Sequence, residues 1–257
     1  MLFPACYRLT LSAFSCLSDR STGNGEPTLS VLTALTNLEH LEMPSVSNGV
    51  MVLPADYAAI TASPQLTHLD LSYCSFDPEH AKDVFSDNLR LPKLLSLRLT
   101  VSWLLETETI QRVVDCCPGL AALRIESSGG GDVAEVQPEQ WAARLGCLAG
   151  LSALTRLSMT VMDISLTTEV YRAIGTLTGL QELSFDYMDA NHLGPAVQLT
   201  SCRQLTNLSF GVETMTQHDD EQFGINATNK VGSCLCCLFQ QDACAYLQWA
   251  AGVVALS

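Results

Sequence analysis

The chain has few charged residues, and basic residues are the scarcest of them. Only 16% of its 257 residues are charged, and 13 lysines and arginines stand against 27 aspartates and glutamates, so the formal net charge is −14. Such a chain repels phosphate groups, and we therefore expect neither nucleic acid nor an anionic membrane surface as a partner. The acidic charge either serves solubility or steers the chain toward a basic protein partner.

Long hydrophobic runs are also missing. No stretch of 18 or more apolar residues occurs, and the apolar residues 1–17 contain Arg8 and have no basic region before them. The sequence therefore predicts neither a membrane-spanning helix nor a signal peptide. The eleven cysteines are odd in number and include the adjacent Cys116 and Cys117. This usage indicates reduced thiols and a cytoplasmic location, with the nucleus as an alternative.

The common enzyme motifs are absent as well. The sequence has no Gly-x-x-x-x-Gly-Lys-Ser/Thr phosphate loop, no His-Glu-x-x-His and no Gly-x-Ser-x-Gly, and the glycines 129–131 lack a following lysine. We therefore expect a protein that is not an enzyme, with no cofactor and no small-molecule substrate.

The sequence does contain an internal repeat. The block Leu66-x-x-Leu69-x-Leu71 recurs about every 28 residues, and the steps from Leu38 to Leu205 are 28, 28, 26, 34, 26 and 25 residues. The first residues of the eight copies are Cys6, Leu38, Leu66, Leu94, Leu120, Leu154, Leu180 and Leu205. Self-similarity at this period predicts a solenoid of stacked repeats.

Each repeat combines a strand pattern with a helix pattern. The leucine block alternates as a short strand with one buried face does, and apolar residues at helical spacing follow it. These helical sets are Ile110, Val113, Val114 and Cys117; Trp141, Leu145 and Leu148; and Leu166, Val170, Ile174 and Leu177. Proline at the first helical position predicts helix starts at Pro78 and Pro138.

These repeats resemble leucine-rich repeats of the intracellular ribonuclease-inhibitor-like and F-box-associated type. Residues 117–125 and 177–183 carry the resemblance, which covers about residues 5–213, although at the turn position after the strand only Cys74 fits the family's Asn or Cys. The resemblance implies a right-handed α/β solenoid of about eight repeats, with the parallel sheet on the concave face and the helices on the convex face.

We assign residues 1–215 to this solenoid and residues 216–257 to an acidic linker and a cysteine-rich apolar tail, disordered or packed on the last repeat. Four thiols in the tail match the number in a structural zinc site but not the usual spacing, and acylation is an alternative. These residues are Cys234, Cys236, Cys237 and Cys244. Because the chain begins inside a repeat, we expect either a fragment of a longer protein or a sequence that lacks its start.

The strand positions between the buried leucines point to the concave face. Its charged members are our candidate partner-binding residues: Arg8, His40, Glu42, His68, Asp70, Arg98, Arg124, Glu126, Arg156, Glu182 and Asp186. His40 and His68 should be neighbours, and with Glu42 and Asp70 they either bind a transition metal or form a solvated surface; we favour the surface and expect no metal. The arginines either contact a partner or pair with carboxylates on adjacent strands.

The predicted function is non-catalytic protein–protein recognition through the concave face, as a scaffold for a protein partner. The resemblance implies three alternatives. The first is the substrate-receptor portion of an F-box ubiquitin ligase. The second is a structural subunit of a cytoskeletal or ciliary assembly, located at the cytoskeleton or axoneme. The third is a regulator of a small GTPase.

Overall fold

The described part of the chain is built around one sheet whose strands alternate with helical segments. The computed structural model describes residues 6–11, 29–43, 50–51, 57–72, 74–75, 82–86, 88–101, 107–126, 138–160, 166–188, 194–213 and 222–228. All statements below about what the structure contains refer to these residues.

The sheet has nine strands, and a separate pair of short strands lies beside it. The strands are β1 (Arg8–Thr10), β2 (His40–Glu42), β3 (Val50–Met51), β4 (His68–Asp70), β5 (Cys74–Ser75), β6 (Ser96–Thr100), β7 (Ala122–Glu126), β8 (Arg156–Thr160), β9 (Glu182–Met188), β10 (Asn207–Glu213) and β11 (Gln222–Thr228). The sheet order is β1-β2-β4-β6-β7-β8-β9-β10-β11, and β3 pairs with β5. The strands from β1 to β10 in the large sheet run parallel, whereas β11 is antiparallel to β10.

The second leucine of each repeat fixes the register of the sheet. These residues pair from strand to strand in the order Leu9, Leu41, Leu69, Leu97, Leu123, Leu157, Leu183 and Leu208. From Leu41 onward each is at most 3% exposed, so the leucines form a continuous row under the sheet. Burial of each such side chain contributes about 1.5–3 kcal/mol relative to an exposed one. The protein is therefore the α/β solenoid that the repeat predicts, with parallel strands on its concave side.

The helices cover the other side of this leucine row. They are α1 (Tyr57–Ile60), α2 (Thr107–Cys116), α3 (Pro138–Cys147) and α4 (Thr168–Gly175), together with 3₁₀ helices at Leu29–Ala34, Lys82–Phe85, Leu148–Gly150 and Gly194–Ser201. The three apolar sets predicted at helical spacing are all buried, with exposed fractions of 9% or less. The helix start at Pro138 is confirmed.

One predicted helix differs from its expected form. The start at Pro78 lies outside the described residues, and the described end of that segment, Lys82–Phe85, is a 3₁₀ helix. Val84 and Phe85 are nevertheless buried there, at 1% and 0% exposure. A 3₁₀ helix rises about 2.0 Å per residue against 1.5 Å in an α-helix, so four residues reach further along the repeat.

Consecutive repeats approach each other closely at their turns. A Cβ atom at Gly119 would stand 2.6 Å from the backbone oxygen of Pro92 in the preceding repeat, which leaves room for glycine alone without a backbone shift. At the turn position that the family resemblance singles out, Cys74 is 2% exposed and its Sγ donates to the backbone oxygen of Met43 at 3.9 Å. Burial raises the pKa of this thiol to about 12, so it stays protonated as a donor.

The strand β11 has no counterpart in the sequence prediction. It pairs with β10 along its whole length, from Asn207 opposite Thr228 to Glu213 opposite Gln222. Its antiparallel direction breaks the repeat and covers the backbone edge that β10 would otherwise present. The sheet therefore extends beyond residue 215, while the four cysteines of the tail lie outside the described residues. No helix in the described part is long and apolar enough to cross a membrane.

Candidate functional site

The outward-facing strand residues form two complete columns across the parallel strands. The first concave column is Arg8, His40, His68, Ser96, Ala122, Arg156, Glu182 and Asn207. The second concave column is Thr10, Glu42, Asp70, Arg98, Arg124, Ser158, Ser184 and Ser209. A third, partial column pairs Thr100 with Glu126 and Thr160 with Asp186. Each candidate binding residue lies in one of these columns.

At the N-terminal end of the sheet, hydrogen bonds and a ring stack join four of the candidates in one patch. Arg8 Nη2 donates to Glu42 Oε1 at 3.0 Å, and His40 Nε2 lies 2.6 Å from the same oxygen. The rings of His40 and His68 stack with their centroids 4.9 Å apart. Glu42 and Asp70 are register partners, as the sequence predicts. These contacts hold the side chains in place on the concave face.

The environment of this patch shifts the pKa values of two of its side chains. The hydrogen bond from His40 lowers the pKa of Glu42, and the donors Thr10 and Arg8 lower it further. The pKa of His68 is lowered, first by burial and then by the positive charges of His40 and Arg8. Both imidazoles and Glu42 are thus engaged with one another, and in the described residues no group of three or more His, Cys, Asp or Glu side chains is arranged to hold a metal ion.

The centre of the face is a chain of alternating charges that crosses five strands. Arg98 donates from Nη1 to Asp70 Oδ2 at 2.9 Å and from Nη2 to Glu126 Oε1 at 3.1 Å. Arg124 donates from Nε to the same Glu126 oxygen at 2.7 Å, and its Nη2 lies 3.9 Å from Asp186 Oδ2. We call Asp70, Arg98, Glu126, Arg124 and Asp186 the central charge network. Pairing across strands, one of the two alternatives for the arginines, is therefore present.

Glu126 differs from the other candidates because it is buried. Only 9% of its side chain is exposed, against 40% for Arg98 and 42% for Arg124. A carboxylate so far from water is stable only when it is paired, and here both arginines neutralise it. The two arginines remain within reach of a partner, whereas Glu126 acts from beneath as the group that orients them.

Beside the network lies an open hollow with a volume of about 350 Å³, which we call the central hollow. Its lining side chains are Arg98, Arg124, Arg156, Glu182, Ser96, Ser158, Ser184, Ser209, Asn207 and Ala122, with Leu123, Leu157 and Leu183 between them. The sequence analysis selected only charged residues of the concave face and therefore missed the serines and Ala122. The signal was available, because three consecutive repeats carry serine in the second concave column after two that carry arginine.

The hollow arises from this change in side-chain size. The short side chains of Ser158 and Ser184 in the second concave column leave space open, and the longer side chains of Arg124 and Arg156 line that space. Arg156 Nε lies 3.6 Å from Glu182 Oε2, which is longer than a direct charged hydrogen bond. The face can therefore act as a preformed polar surface with a depression in it.

Comparison with known proteins adds likeness in fold. No family model matches the sequence, and no curated protein matches it. Among solved structures the chain is similar to internalin C2 from Listeria monocytogenes, with 17% identity over 79% of this chain and 84% of that one, at a TM-score of 0.36. It is also similar to the leucine-rich repeat-containing protein LegL7 from Legionella pneumophila, with 12% identity over 91% of each chain, at a TM-score of 0.38.

A third similar structure is the leucine-rich-repeat ectodomain of the Arabidopsis receptor kinase HAESA in complex with an IDA peptide hormone ligand. Its identity is 13% over 72% of this chain and 32% of that chain, at a TM-score of 0.34. These bacterial and plant structures share the repeat type and single out no subtype of it. The sheet order, the leucine row and the alternating helices of this chain itself establish the fold, which is the α/β solenoid of leucine-rich-repeat proteins.

Proposed function

We propose that this protein is a non-catalytic scaffold that binds a protein partner on its concave face. The observation that carries the proposal is the central charge network, in which half-exposed arginines are held in fixed positions by carboxylates at 2.7–3.1 Å. Arginine is enriched among the residues that dominate interface energies. Side chains that are already ordered lose less conformational entropy when a partner binds.

The size of the face suits a protein segment. Eight parallel strands spaced about 4.8 Å apart span about 34 Å, which an extended chain of about ten residues matches at about 3.3 Å per residue. The net charge of −14 favours a basic partner at long range and disfavours nucleic acid. The free cysteines of the described part, four of them buried, support a reducing compartment, the cytoplasm or the nucleus.

The finer alternatives concern which assembly uses this face. In the substrate-receptor portion of an F-box ubiquitin ligase, the concave face would bind the substrate of the ligase. In a cytoskeletal or ciliary subunit it would bind a filament component, and in a regulator of a small GTPase it would bind the GTPase. All three are forms of the same proposal, and the identity of the partner separates them.

The test is affinity capture with mass spectrometry, comparing the wild type with a concave-face variant, Arg98→Glu/Arg124→Glu/Glu182→Lys. A matched control carries the same three kinds of change away from the concave columns, Arg172→Glu/Arg203→Glu/Glu169→Lys, at exposed positions. We expect a partner that the wild type and the control retain and that the concave-face variant loses, with all three circular dichroism spectra alike. A partner retained by all three proteins contradicts the proposal.

A further inference from the structure

The lining of the central hollow is rich in arginine, although the protein as a whole is strongly acidic. Its lining contains three arginines and a single glutamate, whereas the whole chain carries a net charge of −14. The carboxylates of the central charge network, Asp70, Glu126 and Asp186, are not part of the lining. These three carboxylates lie 2.7–3.9 Å from nitrogen atoms of Arg98 and Arg124, well inside the screening length of about 8 Å, and they offset the charge of those two arginines. What the hollow offers a ligand is therefore guanidinium N–H donors rather than an excess of positive charge.

Two of these arginines keep donors that no carboxylate occupies at hydrogen-bond distance. Arg124 uses its Nε on Glu126 at 2.7 Å, but its Nη2 is 3.9 Å from the nearest other carboxylate oxygen, that of Asp186. Arg156 is 66% exposed and lies 3.6 Å from Glu182. Charged hydrogen bonds of guanidinium to carboxylate have N···O distances of about 2.7–2.9 Å. Both guanidinium groups can therefore donate to a further oxyanion without giving up a short contact.

The floor of the hollow provides space and hydroxyl donors. Ser158 and Ser184 are adjacent in the second concave column, and Ala122 lies beside Arg156 in the first. The volume of about 350 Å³ is near the lower end of the range for ligand sites, about 300–1,000 Å³. It suits one or two side chains of a bound segment rather than a folded surface.

We propose that the central hollow binds an acidic side chain, aspartate or glutamate, of an extended partner segment, with the carboxylate between Arg124 and Arg156 above the serine floor. A basic side chain would face three arginines there and one glutamate that already lies beside Arg156. The inference rests on the proposed function and specifies the partner's chemistry at one point of the face. A basic partner drawn in by the net charge would thus carry an acidic residue where it meets the hollow.

The experiment is a fluorescence-anisotropy titration of the full chain with rhodamine-labelled hexaglutamate, and with hexaglutamine and hexalysine as comparison probes. We expect saturable binding of hexaglutamate and weaker binding of the other two peptides. The variant Arg156→Gln should weaken hexaglutamate binding about tenfold, as loss of one charged hydrogen bond does. The variant Glu182→Gln should strengthen it, because the lining then loses its one carboxylate.

A matched control separates the hollow from the overall charge. Arg172→Gln makes the same change on the helical side, where the side chain is 62% exposed, and should alter the affinity less than twofold. Equal effects of Arg156→Gln and Arg172→Gln, or weaker binding in Glu182→Gln, would overturn the proposal. Stronger binding of hexalysine that Glu182→Gln abolishes would assign the hollow to a basic side chain instead.

Failure of this inference is distinguishable from failure of the proposed function. If hexaglutamate does not bind but the concave-face variant still loses a captured partner, the concave face is the interface and the hollow does not take a carboxylate. If the captured partner is retained by that variant, the proposed function itself is wrong.

Discussion

Replacement of Glu126 by glutamine removes the charge that organises the concave face. The side chain is 9% exposed, and its Oε1 accepts hydrogen bonds from both Arg98 and Arg124. Glutamine keeps the size of the side chain but brings an amide with half the acceptors and two donors. The neutral amide then faces two guanidinium groups and no longer balances their positive charge.

The expected cost follows from this geometry. A hydrogen bond to a charged group contributes about 1.5–3 kcal/mol, and breaking a buried ion pair costs about 3–5 kcal/mol. The arginines are 40% and 42% exposed, so water screens part of the loss. We therefore expect Glu126→Gln to lower the free energy of unfolding by about 2 kcal/mol.

Urea denaturation followed by circular dichroism measures this loss. The control is Glu182→Gln, the same chemical change in the exposed pair with Arg156 at 3.6 Å, for which we expect at most about 0.5 kcal/mol. A double-mutant cycle with Arg98→Gln should show coupling between Arg98 and Glu126. If Glu126→Gln costs no more than Glu182→Gln, the central charge network is not held together by its buried carboxylate.

Three further outcomes are expected. Burial and nearby positive charge lower the pKa of His68 below 6.5, so the unfolded chain binds a proton there more readily than the folded protein does. The free energy of unfolding should therefore fall as the pH drops below 6.5, and it should fall less in the variant His68→Gln. Equal pH profiles of the urea midpoints of the two proteins would refute this. Gly119→Ala should destabilise the protein by about 1–3 kcal/mol, because the added Cβ would lie 2.6 Å from a backbone oxygen. Gly146→Ala, whose Cβ would meet nothing within 4 Å, should instead stabilise α3 by about 0.5–1 kcal/mol. Thermal unfolding that ranks the two variants in the opposite order contradicts the close packing at the turn. Iodoacetamide at pH 8 should alkylate the half-buried Cys147 and spare the buried Cys74, whose pKa is about 12. Peptide mass spectrometry that finds Cys74 modified first would show that the solenoid opens at that repeat.

The sequence was sufficient for the register of the sheet. Because each repeat buries its second leucine, the residues one position before and after it must face outward, and these residues form the two concave columns. The stacking of His40 on His68 follows from that register, in which the two residues are partners. The register sets Arg98 opposite Arg124, and Glu126 reaches Arg98 diagonally from the third column. Short-period patterns predict well where one buried face decides the structure.

The sequence pattern did not reveal how deeply each side chain is buried or how far the sheet extends. Glu126 stands in the third column like Asp186, yet only the former is covered, because two long arginines close over it. The central hollow depends on which neighbours are small, which becomes clear only when the columns are read across strands. Strand β11 carries no leucine block, and its pairing with β10 reflects an uncovered sheet edge rather than a repeat.

Photo-crosslinking from single sites shows whether a protein partner binds on the concave face. A benzophenone amino acid is placed at position Ser184, on the floor of the hollow, or at Ala143, exposed on α3, and the captured partner is irradiated with each protein. We expect a discrete adduct from position 184 and none from position 143. An adduct from position 143 alone would place the interface on the helical side and contradict binding on the concave face.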